Sequence, residues 1–343
     1  MFSGSRSIGL QQQRGVGLVE IMISLVLGLL VSGAIVQIYL TTKRQNDMQT
    51  SLTGRQESGR FAAQIIQRDA QMAGYRGCLR DVNVTSVVNT LNTPTDFLYR
   101  YDRHVEGFES GAGLPGSITN VVADTDVLTL RTVDDPGIFT TATLANASAD
   151  PVTVVDLNPA PFAVNDIALI TDCGGAAIFQ VTGFNAATGT IVHNTGGTVP
   201  GNSTKNLNRR FGAGSQVFAI RTTSYYIRNS ANGTGPALWR RSGGIAPPQE
   251  LAEGVENMQL LFGLDTDANQ TADEYRTADN IPANQWRNVV SVQVALLVSG
   301  VSDRVAEPDP RTFALLGEDV GPFADGRLRR VVTFTVALRN RVA

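Results

Sequence analysis

Apolar and polar positions divide the 343 residues into three regimes. Residues 1–15 are polar and lightly basic, and residues 16–40 form an apolar run with Glu20 as the only charge. At 1.5 Å per residue such a run is about 37 Å long as a helix, enough to cross a bilayer. Residues 41–73 continue at helical spacing: Leu52, Phe61, Ile65, Ile66 and Met72 are separated by polar residues, which predicts one face docked on a globular body. Gly54 and Gly59 each lower helix stability by about 1 kcal/mol relative to Ala and predict a kink or break. The helix is expected to end by Gly74 or Gly77, ahead of Cys78.

After Cys78 the pattern shortens to β-rich runs between turns. They include residues 127–133, 167–170, 177–182, 217–220, 289–298 and 331–338. Asn, Gly, Thr and Pro dominate 185–208 and 229–236, which read as exposed loops. The fold class expected is α+β: a long N-terminal hydrophobic helix packed on a large antiparallel β-rich globular domain. Its divisions are residues 1–15, 16–40, 41–77 and 78–343.

Residues 16–40 exceed the apolar core of a cleavable secretory signal, and Thr41-Thr42-Lys43-Arg44 lacks the small-x-small pattern of its cleavage site. The segment is therefore expected to stay attached as a membrane anchor. Charge orients it weakly, with Arg6 and Arg14 on one side and Lys43 and Arg44 on the other. A carboxylate inside such a segment costs a few kcal/mol, somewhat less near the interface, so Glu20 calls for a partner or for a place at the headgroup level. Ser24, Gly28 and Ser32 follow at i, i+4 steps and put three small residues on one face, where another helix can approach closely. Acid and stripe together suggest a helix that packs against others like itself.

Gly15 followed by Val16-Gly17-Leu18-Val19-Glu20 resembles the class III signal of type IV pilins and type II secretion pseudopilins. What the resemblance implies is cleavage by a prepilin peptidase between Gly15 and Val16, methylation of the new N-terminal Val16, and pairing of Glu20, the fifth mature residue, with the N-terminal ammonium of a neighbouring subunit. Two departures stand out: Val16 replaces the usual Phe, and no Pro interrupts the apolar helix. The blocks 59–78, 169–182, 251–267, 289–300 and 329–341 look like the PilW family of minor pilins. That resemblance implies a pilin-like fold and a non-enzymatic minor pilin. It would join other minor pilins and the major pilin through the N-terminal helix, in an inner-membrane complex that primes pilus growth. The subunit would end at or near the tip, where a large adhesin is a further partner. Localisation would be a single inner-membrane pass with a periplasmic body, then the pilus. The other readings are a type II secretion pseudopilin and, with Glu20 incidental, a membrane-anchored periplasmic binding module or enzyme.

Composition narrows these further. The formal charge of −3 falls to −5 once Arg6 and Arg14 leave with residues 1–15, and no dense basic tract exists. Electrostatic nucleic-acid binding is not expected. The two cysteines, Cys78 and Cys173, read either as a disulfide of an exported protein or as buried free thiols. A disulfide closing roughly 95 residues is worth about 4–5 kcal/mol in the chain-entropy model, and the family resemblance suggests that the two pair.

Candidate chemistry in the body is sparse. Asp265, Asp267, Asn269, Thr271 and Asp273 alternate along 265–273 and offer the oxygens a hard cation such as Ca²⁺ takes. The first three match the start of an EF-hand loop, but Gln270 stands where its turn Gly belongs and Arg276 where its bidentate Glu belongs. The stretch reads either as a calcium loop or as a solvated acidic hairpin, and no other cofactor is implied. His104 and His193 are isolated and read as surface or capping residues. Asp134-Asp135 before Pro136-Gly137 reads as a turn. Trp239 and Trp286 beside arginines read as strand packing or as a recognition surface. Neither a G-x-S-x-G elbow nor a phosphate loop is present.

Overall fold

The computed structural model describes residues 15, 17–79, 87–133, 137–148, 151–155, 162–243, 246–300 and 310–340. Most of residues 1–15, Val16 and the 134–136 turn lie outside them. Contacts divide the chain into two units, Met1–Thr50 and Ser51–Ala343. The division falls inside helix α1 (Leu18–Met72), so residues 51–77 go with the body.

Neither Gly54 nor Gly59 breaks α1. At Gly59 an added Cβ would lie 3.1 Å from Val332 Cγ2 and 3.4 Å from Val298 Cγ2, so this glycine marks a close approach of helix to sheet. The docked face differs from the expected one. Gly59, Ala62, Ala63, Ile66, Ala70 and Ala73 are buried, Leu52, Ile65 and Met72 are half-buried, and Phe61 is 45% exposed. Small side chains let the helix backbone lie close to the strands beneath, which bulkier ones at those positions would prevent. The helix stops where glycine predicted: Gly74 takes φ 74° and donates its N–H to Arg131 O at 3.0 Å.

Among the described residues eighteen strands follow: β1 (Val87–Asn89), β2 (Val105–Phe108), β3 (Val127–Val133), β4 (Ile138–Phe139), β5 (Val152–Thr153), β6 (Ile167–Asp172), β7 (Gly175–Gln180), β8 (Gly183–Asn185) and β9 (Thr190–Val192). Next come β10 (Gln216–Asn229), β11 (Pro236–Ser242), β12 (Gln249–Glu253), β13 (Val255–Leu264), β14 (Glu274–Arg276), β15 (Val289–Ser299), β16 (Phe313–Leu315), β17 (Glu318–Val320) and β18 (Arg329–Ala337). A nine-stranded sheet is organised on β10. Residues 216–219 of β10 pair with β6, and residues 220–225 pair with β3, while residues 223–229 pair with β11 on the other side. The β8–β9 hairpin interrupts the expected 185–208 loop.

Among the described residues the sheets are antiparallel with one exception. β1 runs parallel to β7, Val87 opposite Ala176. The Cys78–Cys173 disulfide ties the chain nine residues ahead of β1 to the turn just before β7.

In a second sheet, β14-β13-β15-β18, the central strands β13 and β15 are buried on both faces. One face joins Ala62, Ile66, Ala70 and Ala73 of α1 with Leu128, Leu130, Tyr225 and Ile227 of the large sheet in the main core. The other lays Ala295 and Leu297 against Leu315 and the β16–β17 hairpin. Double coverage explains why residues 289–298 read as one continuous apolar run rather than an alternating one.

Candidate functional site

The apolar stretch of α1 has no cover within its own unit. Every described residue from 17 to 50 is exposed, including Leu18 at 75% and Leu29 at 68%. It belongs to a helix long and apolar enough to cross a membrane. Glu20 sits in the first turn, where Glu20 and Ile21 donate N–H groups to Gly17 O at 2.9 and 3.2 Å. Its carboxylate has no partner among the described residues. Ser24 donates its hydroxyl to Glu20 O at 2.7 Å, so that hydroxyl is satisfied within the helix.

Ile21, Ser24, Leu25, Gly28, Leu29 and Ser32 line a shallow groove along one face. An added Cβ at Gly28 would meet nothing within 4 Å, so packing inside this chain does not require glycine there. The structure thus places Glu20, Ser24, Gly28 and Ser32 on one exposed helix. Gly15 precedes it, and Val16 lies outside the described residues.

Cys78 and Cys173 form a disulfide with Cα atoms 4.9 Å apart. It joins the turn after α1 to the tip of the β6–β7 hairpin, where Arg209 pairs with Asp172 at 2.9 Å.

In the acidic loop, carboxylate oxygens of Asp265, Asp267 and Asp273 lie within 4.8 Å of one another. Asn269 and Thr271 bond each other: the Thr271 N–H donates to Asn269 Oδ1 at 2.8 Å and the Thr271 hydroxyl donates to the same oxygen. Asp265 accepts the Gln270 N–H at 2.8 Å, and Gln270 takes φ 68°, the left-handed conformation a glycine would otherwise supply. Thr266 donates both its N–H and its hydroxyl to Asp273 at 2.7 Å, and these bonds hold that carboxyl below its ordinary range. Arg276 pairs with Glu274 at 2.6 Å. The sequence therefore places three carboxylates together, and most of the loop's oxygens already accept its own donors.

Both histidines are buried rather than at the surface, His104 at 2% and His193 at 4% exposure. His104 Nε2 meets Val289 O at 3.1 Å, a partner 185 residues away that local sequence cannot announce. His193 stacks on Phe179, ring centroids 5.1 Å apart. Trp239 packs within strand β11, with Arg228 over its ring at 4.8 Å, whereas Trp286 is buried in a short 3-10 turn ahead of β15, against Phe262 at 4.9 Å.

Three buried polar groups also escaped sequence reasoning. Buried Glu106 takes Arg100 at 2.7 Å, Arg103 at 2.8 Å and Arg131 at 3.0 Å. Tyr225 donates its hydroxyl to Asp69 of α1, and burial, with the Asp69 charge, pushes the phenol up. Asp126 joins the two sheets: its N–H donates to Met258 O at 2.9 Å, and its carboxylate accepts N–H groups from Leu260 at 2.8 Å and Ser110 at 2.9 Å. Burial, with Glu109 nearby, pushes Asp126 up to about 7 despite those donors.

A long N-terminal apolar helix followed by a large β-rich domain is a pilin-like arrangement. Within that class, residues 224–340, about a third of the chain, match the family described as Type IV Pilus-assembly protein W. This shows the PilW resemblance from β10 to β18, independently of the N-terminal signal. No curated protein matches the chain. Among solved structures, a type IV-like pilin from Thermus thermophilus is similar at 13% identity, covering 53% of this chain and 86% of its own, with a TM-score of 0.22. That likeness is too slight to carry the fold assignment, which rests on the chain's own helix and sheets.

Proposed function

We propose that this chain is a minor pilin of a type IV pilus, a non-enzymatic subunit cut by a prepilin peptidase between Gly15 and Val16. One observation carries the reading: residues 17–40 expose a membrane-length apolar surface whose single acid, Glu20, has no partner among the described residues. An acid in that setting is stabilised by a positive group in the same layer, and the methylated ammonium of a neighbouring Val16 is such a group. The body stands in the periplasm while the helix crosses the inner membrane. There the subunit joins other minor pilins in the complex that primes growth, and it is carried to or near the tip with the major pilin below and a large adhesin as a candidate partner. The size of the body, residues 51–343, supports an end position over repeated insertion in a shaft.

Mass spectrometry of the protein purified from its native membrane tests the reading. The expected N-terminus is methylated Val16, and any other mature N-terminus overturns it.

A further inference from the structure

We infer that a cavity beside β1 binds a carboxylate carried on a small apolar body, of the size of a di- or tripeptide. The cavity is about 480 Å³ and lies wholly within the body. That is in the range of ligand pockets, about 300–1,000 Å³. It is assembled from distant pieces of chain: Arg76 after α1, Val87 of β1, Asp102 and Arg103 before β2, Ile178 of β7, and Arg287 after Pro282.

Charge gives the ligand its sign. Arg76, Arg103 and Arg287 line this wall with Asp102, and Glu106 behind it takes Arg103, so guanidinium groups outnumber carboxylates three to two in a chain whose overall charge is −3. The guanidinium fork matches a carboxylate in shape and hydrogen-bond direction. Two of the three are held in place by the fold. Arg76 donates to Tyr101 O at 3.0 Å, and Arg103 donates through one terminal nitrogen to Glu106 at 2.8 Å. Arg103 Nε is buried and has no acceptor among the described residues. Arg287 is exposed at the mouth, next to Trp286, which is anchored in the core against Phe262.

The walls give the ligand its body. Val87 and Ile178 present hydrocarbon that inorganic phosphate would leave wet, so an organic anion fits better. β1 is also the end strand of its sheet, so an extended peptide can enter alongside it. The inference does not depend on the pilin reading, because it uses no residue of the anchor.

The full-length chain in detergent micelles is titrated calorimetrically with three probes: N-acetyl-Leu-Phe as the free acid, the same dipeptide as its amide, and N-acetyl-Asp-Phe-amide. The free acid is expected to bind at least about 10-fold more tightly than its amide. Binding of the Asp probe on a par with the free acid supports a side-chain carboxylate as the source; binding of the free acid alone supports a chain terminus. Arg287→Gln, at an exposed position, is expected to weaken the free acid about 10-fold with an unchanged thermal midpoint. Equal binding of acid and amide, no binding of any probe at about 10 mM, or an unchanged affinity in Arg287→Gln would overturn the site. The acid–amide comparison on the unsubstituted protein stands even if the variant misfolds.

Discussion

Residues 17–50 and 59–73 of α1 are both rich in apolar side chains, and they are used in opposite ways. The first stretch carries Leu, Ile and Val all round the helix, and every described one is exposed. The second carries mainly alanines with one isoleucine, Ile66, on its inner face, and these are buried against β-sheet. Apolar content alone does not forecast burial within a chain. Bulk distributed around a helix serves a surrounding apolar medium or other helices, whereas small residues confined to one face serve a close contact inside the fold. The division of the chain at residue 50 follows that change of use.

The sharpest way to break this comparison is at Glu20. Glu20→Ala is expected to leave cleavage and membrane insertion intact while surface pili, counted by electron microscopy, fall to background. Normal piliation in that strain would mean that the exposed stretch does not assemble through its acid.

The stability of the body should answer to pH. Asp126 holds its proton to about pH 7 in the fold and loses it near 3.8 when unfolded. The folded value is the higher, so the stability it contributes is complete below about pH 4 and is lost as pH rises through about 7. The shift corresponds to about 4 kcal/mol across that window. Burial raises Glu109 as well, in the same direction. Thermal melts from pH 4 to pH 8 should show stability declining, and Asp126→Asn should flatten the slope; an unchanged slope in the variant would remove Asp126 as its source.

A paired substitution tests the two stretches directly. Ile66→Ala empties a fully buried site and should lower unfolding free energy by about 3 kcal/mol. Ile35→Ala, 60% exposed, should change body stability by less than about 0.5 kcal/mol. Equal losses, read by denaturant unfolding in detergent, would contradict the division of labour.

Local sequence announced what local physics decides. The helix, its stop at Gly74, and strands at 127–133, 289–298 and 331–338 follow from periodicity and glycine conformation alone. The small-residue stripe and Glu20 were visible because they repeat at helical spacing. The alanine face was not, because alanine carries little apolar signal and its burial depends on strands more than 200 residues later in the chain. Likewise, His104 and Asp126 depend on partners brought near by β15 and β13, the cavity beside β1 is lined by pieces of chain up to about 200 residues apart, and Glu106 takes Arg131 from β3. The length of β10 was legible only in part, since its first and second portions pair with different strands.

Asn340 closes the body by donating its side-chain amide to Gln71 O at 3.0 Å and Ala73 O at 3.3 Å, across 269 and 267 residues of sequence. The inner face of α1 also rests on β15 and β18, which are synthesised more than 200 residues after it. The ribosome therefore delivers the docking helix long before it delivers the seat. Until β15 and β18 emerge, Ala62, Ile66, Ala70 and Ala73 lack part of their cover. A message cut short ahead of β18 yields a chain that keeps its apolar helix and leaves the seat of that helix unfinished.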